Sequence, residues 1–290
     1  MQIAITSCAK YKQFSIQPVW QEIQTSQPDV LLLLGDNVYI ENNDPDSSAD
    51  LAADLRVRYA EQLSEPNFRR LLGDMKNRNK DVMAIWDDHD SFGNDRGGNE
   101  FPPDYRDTAR AEFHRAFPYS TNLPEIYYRR DIGDVTFLLL DVRSYRDDRR
   151  TNTKSRDAML GAAQWLWLEA ELTSTNRFTI VASGTTIYPY KRECWDDFPK
   201  ARDRLIALLK NRSGVLFVSG DIHENQISGK DGVIEVVSSG CARRTLISGA
   251  ELRNYGLLDF SNTGVSISLK SLDPKDTRGA TIALNHWQYP

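Results

Sequence analysis

A pattern repeated along this chain constrains its fold more than any other: a short apolar run stops, and polar or acidic residues follow at once. "DVLLLL" (29–34) runs into Gly35-Asp36, "VMAIW" (82–86) into Asp87-Asp88-His89-Asp90, and "VLFVSG" (215–220) into Asp221 and His223. The same break sets Cys8 at the end of the stretch 2–8, and Asp141 and Arg143 at the end of 134–141. Runs of four to eight positions that are nearly all apolar are the signature of strands buried on both faces. Another such run is predicted at 177–182. Stretches of helical spacing lie between them, at 17–27 with Pro18 suited to a first turn, at 47–63 with Ser47 or Ser48 as cap, at 66–75, and near 104–116, 161–173 and 198–210. Strands alternating with helices predict an α/β fold. From 224 onward the character changes, and "GVIEVVSS" and "GVSISLK" read as strands without a long helix between them. No internal repeat, low-complexity segment or linker interrupts the chain, so residues 1–290 are expected to form a single domain.

In open α/β sheets ligands bind at the carboxyl edge, where the loops converge over the strand ends. Five strands that each deliver polar groups to that edge predict a site. Glycine before Asp36 and Asp221 lets the backbone turn tightly, so each carboxylate can point across the strand ends. "VMAIWDDHDSFGND" (82–95) adds four carboxylates, an imidazole and an amide within nine residues. Converging carboxylates repel unless a cation lies between them, and metal ions are the usual solution. A metal pair sharing Asp36 would activate a water and clamp a phosphoryl group for in-line attack.

The histidine count narrows the metals. The chain has only His89, His114, His223 and His286, and the last two sit in helical "ARAEFHRAF" and in the tail, where packing roles suit them. A site so poor in imidazole must rely on carboxylate, thiolate and phenolate. Such ligands favour Fe(III), Ca²⁺, Mn²⁺ or Mg²⁺ over an all-zinc pair. The formal charge of −5 gives no broad basic field, which argues against nucleic acid and anionic membrane as partners. The loop 41–50 ("ENNDPDSSAD") is strongly acidic and would repel long polyanions, so a small phosphoester is the expected substrate. Three cysteines make no disulfide framework, and Cys194 and Cys241 read as buried hydrophobes. No run reaches the ~18 apolar residues of a membrane span. "MQIAITSC" enters strand-like sequence without the marks of a leader, so the chain as given reads as cytoplasmic. Oligomeric state is left open.

Taken in order, "SCAKY" (7–11), "LLLGDNVYIE" (32–41), "IWDDHDSFGND" (85–95), "LLDVRSYRDD" (139–148), "MLGAAQWLWLEAEL" (159–172), "FTIVASGTT" (178–186), "FVSGDIHENQI" (217–227) and "EVVSSG" (235–240) resemble the alkaline phosphatase D (PhoD-like) branch of the calcineurin-like metallophosphoesterases. The resemblance runs from residue 7 to about 240. It implies a four-layer sandwich, two mixed β-sheets flanked by helices, with a polymetal phosphoesterase site at its edge. It also implies Fe(III) with one or more divalent ions, Ca, Mn, Mg or Zn. Asp36 matches the metal-bridging aspartate, Cys8 and Tyr39 the thiolate and phenolate on ferric iron, and Asp221 and His223 the late ligands. Asp88 stands where the wider superfamily has an asparagine ligand, and Asn94 where related sequences carry a further amide. His89 matches the histidine that faces the phosphate, stabilising the transition state or protonating the leaving oxygen. Arg143 matches the arginine of the "DxRxYR" signature, a phosphate contact. Asp87 stands as either ligand or brace, and Asp90 as a residue orienting His89 or nearby backbone.

The chain departs from the pattern at "VASGTT", where relatives carry a metal-binding histidine or an amide pair and this chain has Ser183, Thr185 and Thr186. Beyond it, "IYPYKRECWDDFPK" (187–200) interleaves Tyr188, Tyr190 and Trp195 with Lys191 and Arg192. It reads as a wall for an aromatic or sugar-like leaving group, or as a surface loop packed by its own rings. The leading expectation is a metal-dependent phosphomonoesterase or phosphodiesterase. A non-catalytic metal- or phosphate-binding module is the second, motivated by the departure at "SGTT". A nuclease is the third, and its only basic tracks are Arg146–Arg150 and Arg243–Arg244.

Overall fold

The computed structural model describes residues 1–42, 44–149, 158–190, 193–242, 253–273 and 277–288. Its strands are β1 (Gln2–Thr6), β2 (Val30–Leu34), β3 (Asp81–Ile85), β4 (Tyr128–Ile132), β5 (Val135–Leu139), β6 (Phe178–Ser183), β7 (Val215–Ser219), β8 (Asn225–Lys230), β9 (Val233–Ser238), β10 (Asn254–Ser261), β11 (Gly264–Ser271) and β12 (Arg278–Ala283). The helices are α1 (Val19–Ser26), α2 (Ser48–Ser64), α3 (Pro66–Asn77), α4 (Pro103–Ala116), α5 (Ala162–Glu171) and α6 (Pro199–Leu209). They fall where helical spacing predicts them. Ser47 caps α2 by accepting from the Asp50 N–H at 3.2 Å.

Two six-stranded mixed sheets form, in the orders β12-β11-β10-β1-β2-β3 and β4-β5-β6-β7-β9-β8. β1, β2 and β3 run parallel in one sheet, and β5, β6, β7 and β9 run parallel in the other. The register aligns Leu34 with Ile85 and Ser183 with Ser219, so the loops that follow start side by side.

The two-residue period of the strands explains the layering. In β2, Val30, Leu32 and Leu34 face the other sheet and pack with Ile180, Ala182 and Val218. Leu31 and Leu33 face outward onto Trp20, Leu55 and Phe68 of α1, α2 and α3. On the far side Leu138, Val181 and Phe217 meet Trp165 of α5 and Leu205 of α6. A strand covered on both faces favours apolar residues along its length, so most of the site's polar groups collect at the carboxyl ends.

β4, "YRRDI", shows no apolar alternation and sequence patterning does not find it. It is an antiparallel edge strand whose Arg129, Arg130 and Asp131 side chains reach toward solvent, as edge strands often do. Among the described residues no helix is long and apolar enough to cross a membrane.

Candidate metal centre

Three strand ends build the first half of the site. Cys8 follows β1, Asp36 and Tyr39 follow β2, and Asp221 and His223 follow β7. Cys8, Asp36 and Asp221 are nearly inaccessible, and His223 and Tyr39 are buried with them. The Tyr39 hydroxyl donates to Asp36 Oδ2 at 2.8 Å and lies 3.3 Å from His223 Nε2. Cys8 Sγ is 3.5 Å from the same Asp36 oxygen. Ligand atoms of Cys8, Asp36 and His223 all lie within 4.8 Å of one another.

The backbone is forced here. Among the described residues nine non-glycine positions have positive φ, and four of them are Cys8, Asp36, Asp221 and His223. Each left-handed residue costs roughly 1 kcal/mol or more, so their concentration at one site marks a functional demand on side-chain direction. Gly35, with φ +88°, makes the turn possible, since a Cβ there would lie 2.7 Å from the Asp87 Cβ.

The second half comes from the turn after β3. Asp88 shares a compact group with Asp36 and His89, and a second with Asp95 and Glu193, ligand atoms again within 4.8 Å. Its oxygens accept the N–H groups of His89 at 2.8 Å and Asp95 at 2.7 Å. The His89 ring lies against Tyr39, centroids 4.2 Å apart. Of the four residues 87–90, only His89 is partly exposed. Asp90 accepts from the N–H groups of Asn37, Val38 and Asp87, at 3.2, 3.2 and 3.0 Å, and from the Asn37 amide at 3.2 Å. It therefore staples the turn after β2 to the turn after β3. Asn94 is exposed, while its neighbour Asp95 faces the acidic group.

Asp87 and Arg143 meet in a fully buried ion pair, Arg143 Nε to Asp87 Oδ1 at 2.5 Å. On its other side Arg143 pairs with Glu193, which also holds Arg146. The family resemblance implies Arg143 as an oxyanion or phosphate contact; the structure surrounds its guanidinium with Asp87, Glu193 and the Thr185 hydroxyl at 3.2 Å. "SGTT" has a role in this arrangement. A Cβ at Gly184 would sit 2.6 Å from Asp87 Oδ1, so glycine lets the chain pass behind the pair, and Thr185 donates to Asp87 at 3.3 Å. Ser183 and Thr186 turn back to backbone carbonyls of their own loop.

The predicted ring wall takes a different form. Trp195 has no exposed surface and packs edge-on against Trp165, while Tyr188 is buried and donates to the Lys230 carbonyl at 2.7 Å. These rings close the hydrophobic layer over the second sheet, because apolar area there is worth more buried than lining a wet cleft. Tyr190 is half-buried against Ser228, and Lys191 and Arg192 lie outside the described residues. Of the basic tracks, Arg146 is buried against Glu193 and Arg149 pairs with Asp95 at 3.3 Å; Arg150, Arg243 and Arg244 lie outside the described residues. Sequence reasoning missed Glu193, an acid in an aromatic loop with no periodic signal. It also missed Ser239, which stands just past the end of β9 and obeys the same strand-end rule as the other site residues.

Electrostatics divides the site. Burial pushes the Asp36 carboxyl well above the usual range, and the nearby Asp88 and Cys8 push it further. Burial does the same to Asp221, reinforced by Asp87, Glu193 and Asp88. Burial also raises the Cys8 thiol. Asp221 Oδ2 is buried with no hydrogen-bond partner. Asp88 is different: burial opposes its charge, yet His89 and Arg143 hold it below the ordinary value. An orphaned carboxylate oxygen, a buried thiol and acids pressed together fit a bound cation, which would reverse every one of these penalties.

A sandwich of two mixed sheets with acids, thiol and imidazole at its shared edge defines the class: a metallophosphoesterase-type fold with a candidate metal centre. The chain belongs to the PhoD-like phosphatase family, whose family model matches residues 3–237. It is similar to alkaline phosphatase D of Bacillus subtilis (strain 168), 25% identical over 279 residues, covering 79% of this chain and 46% of that protein. The chain thus spans about half the length of this relative. Among solved structures it is similar to a dimetal phosphatase from Danio rerio, with TM-score 0.60, 11% identity, and 97% and 98% of the two chains covered. GAP50 of Plasmodium, described as the anchor in the inner membrane complex, is similar too, with TM-score 0.61, 13% identity, and 98% and 88% covered. Identities this low show the shared fold alone.

Proposed function

We propose that this chain hydrolyses small phosphoesters, monoesters or diesters, at a mixed metal centre. Ferric iron would be held by Cys8, Asp36, Tyr39 and His223, and a divalent ion, calcium, manganese, magnesium or zinc, by Asp36, Asp88 and Asp221. The observation that carries this is the pair of ligand groups sharing Asp36, one with thiol and imidazole, the other with Asp88 and His89. When bound, such a metal pair supplies a water nucleophile at neutral pH and neutralises charge on the phosphoryl oxygens.

The protein's own groups do the rest. The His89 backbone N–H bonds to Asp88 and its ring lies against Tyr39, which leaves the imidazole to hand a proton to the leaving oxygen. Arg143, locked between Asp87 and Glu193, sets a fixed positive charge behind Asp88 rather than a mobile phosphate clamp. The acidic stretch 41–50 disfavours long polyanions, and Arg146 and Arg149 are engaged by acids, which weakens a nuclease reading.

The test is hydrolysis of an aryl phosphate and an aryl phosphodiester after reconstitution with iron plus calcium or manganese. Turnover of at least one is expected. A metal-replete protein that turns over neither sinks the proposal.

A further inference from the structure

Ser239 lies beyond β9 in "EVVSSG", with no exposed surface. Its hydroxyl oxygen is 2.8 Å from the His223 backbone nitrogen and 3.1 Å from Cys8 Sγ. A hydroxyl has one proton and two lone pairs. The His223 N–H can only donate, so it takes a lone pair and leaves the Ser239 proton for another atom. A cysteine that ligates a metal is a thiolate and has no proton to give. The direction then follows: Ser239 donates to the sulfur while accepting from His223.

We propose that Ser239 is a positioning residue of the iron half-site, its one hydroxyl holding the Cys8 thiolate and the His223 backbone together and tuning the sulfur. The proposal rests on the assignment of Cys8 and His223 as metal ligands. Its geometry is independent of that assignment. Cys8 and His223 both have left-handed backbones, φ 62° and 59°, and come from different sheets. The hydroxyl bridges them, so it helps over-determine two strained residues at once. Ser239 is itself clamped: the Asn254 amide donates to its carbonyl at 2.7 Å. The following residues are laid on the Cys8 turn, Cys241 N to Ser7 O at 2.9 Å and Ala242 N to Cys8 O at 3.0 Å. Ser7 is a weaker rival for the sulfur, since its hydroxyl is 3.4 Å away and also reaches the Ser238 carbonyl at 3.2 Å.

A hydrogen bond to a thiolate withdraws electron density from sulfur. It lowers the donor orbital, so sulfur-to-iron charge transfer needs more energy, and it steadies the ligand in one direction. Losing the bond should move the sulfur-to-iron absorption to longer wavelength and speed metal loss about 10–100-fold.

The experiment loads wild type, Ser239→Ala, Ser239→Thr and Cys8→Ser with Fe(III), records visible spectra, and follows iron loss to a chelator. The expected result is a band that disappears in Cys8→Ser, shifts to longer wavelength in Ser239→Ala with faster iron loss, and is restored by threonine. Wild type and Cys8→Ser with the same spectrum would mean that the iron assignment has failed. A Cys8-dependent band that Ser239→Ala leaves unmoved, with unchanged iron loss, overturns the role of Ser239 alone. If Ser239→Ala does not fold, wild type reconstituted in D₂O carries the test. The iron–sulfur stretch must shift against H₂O, and an unshifted stretch overturns the proposal.

Discussion

The two halves of the site solve the same problem in opposite ways. Around Arg143 the protein brings its own cation, and Asp87, Glu193 and Arg146 close a buried network with charges balanced inside the chain. Around Asp36 no arginine pairs with the acids among the described residues: Cys8, Asp36 and Asp221 are pressed together, burial raises all three, and one Asp221 oxygen has no partner. The Arg143 half carries its own counter-charges, although Asp87 Oδ2 and Arg146 Nε make no hydrogen bond among the described residues. The Asp36 half is finished only by something positive, and its left-handed backbone shows where the fold bears the strain.

Asp36→Asn is the largest break of this contrast. Removing the shared carboxylate should lower kcat/KM on the order of 10³-fold or more. The same change relieves repulsion, so the metal-free variant should be more stable than metal-free wild type at pH 8, by about 1 kcal/mol. Activity assays and urea melts of both proteins check the two signs together. A variant that is less stable without metal would mean that the acids are not strained as described.

Glu193→Ala tests the other half and should have the opposite sign. It takes the counter-ion from Arg146 and leaves Arg143 with Asp87 alone, and breaking a buried pair costs about 3–5 kcal/mol. The loss should appear in metal-free protein, with a lower urea midpoint at unchanged slope. A loss under ~1 kcal/mol would reduce the network to the worth of a surface pair.

An acid outside both halves sharpens the comparison. Glu235 in β9 is fully buried and accepts from Ile187 N and Ser219 Oγ, both at 2.8 Å, with no cation paired to it among the described residues. Burial lifts its pKa from 4.5 to about 7, although these donors oppose the shift. The folded state therefore keeps a proton that the unfolded chain releases. This group's contribution to stability falls as pH rises from about 4.5 to about 7, by about 3 kcal/mol in all, then levels off. Glu235→Gln should remove that fall, because the amide oxygen still takes both donors. Thermal melts of wild type and variant between pH 4.5 and 8 would show parallel curves if the carboxyl does not titrate there.

These contrasts were unequally legible in the sequence. The parallel strands and the acids at their ends were readable because a strand buried on both faces is mostly apolar and its end is marked by an abrupt polar break, as at Leu34-Gly35-Asp36 and Ser219-Gly220-Asp221. The family resemblance, and the sandwich it implies, followed from those same stretches. The charge-balanced half was not readable. Glu193 reaches Arg143 across 50 residues from a loop whose apolar neighbours, Cys194 and Trp195, suggest only packing. The edge strand β4 was silent for the reverse reason, since its charges mask its pairing. The turn "SGTT" stands out only as a departure from the family pattern, a lost ligand or a gap for water and substrate; the sequence does not register that Gly184 is small so that Asp87 can lie against it.

Tyr39→Phe is the smallest break and isolates one ligand of the unfinished half. Phenylalanine keeps the ring against His89 and loses the hydroxyl that donates to Asp36 at 2.8 Å. Without metal the loss is one hydrogen bond, about 1 kcal/mol. With Fe(III) bound the change is qualitative, because tyrosinate on ferric iron gives a visible charge-transfer band and phenylalanine cannot. The iron-loaded variant should lose that band while retaining any sulfur-to-iron absorption from Cys8, and should release iron about tenfold faster. An iron-loaded wild type identical in colour to the variant would place Tyr39 outside the ligand set. Asp36 would then be held by a hydrogen bond from the phenol, and the unfinished half would be one ligand shorter.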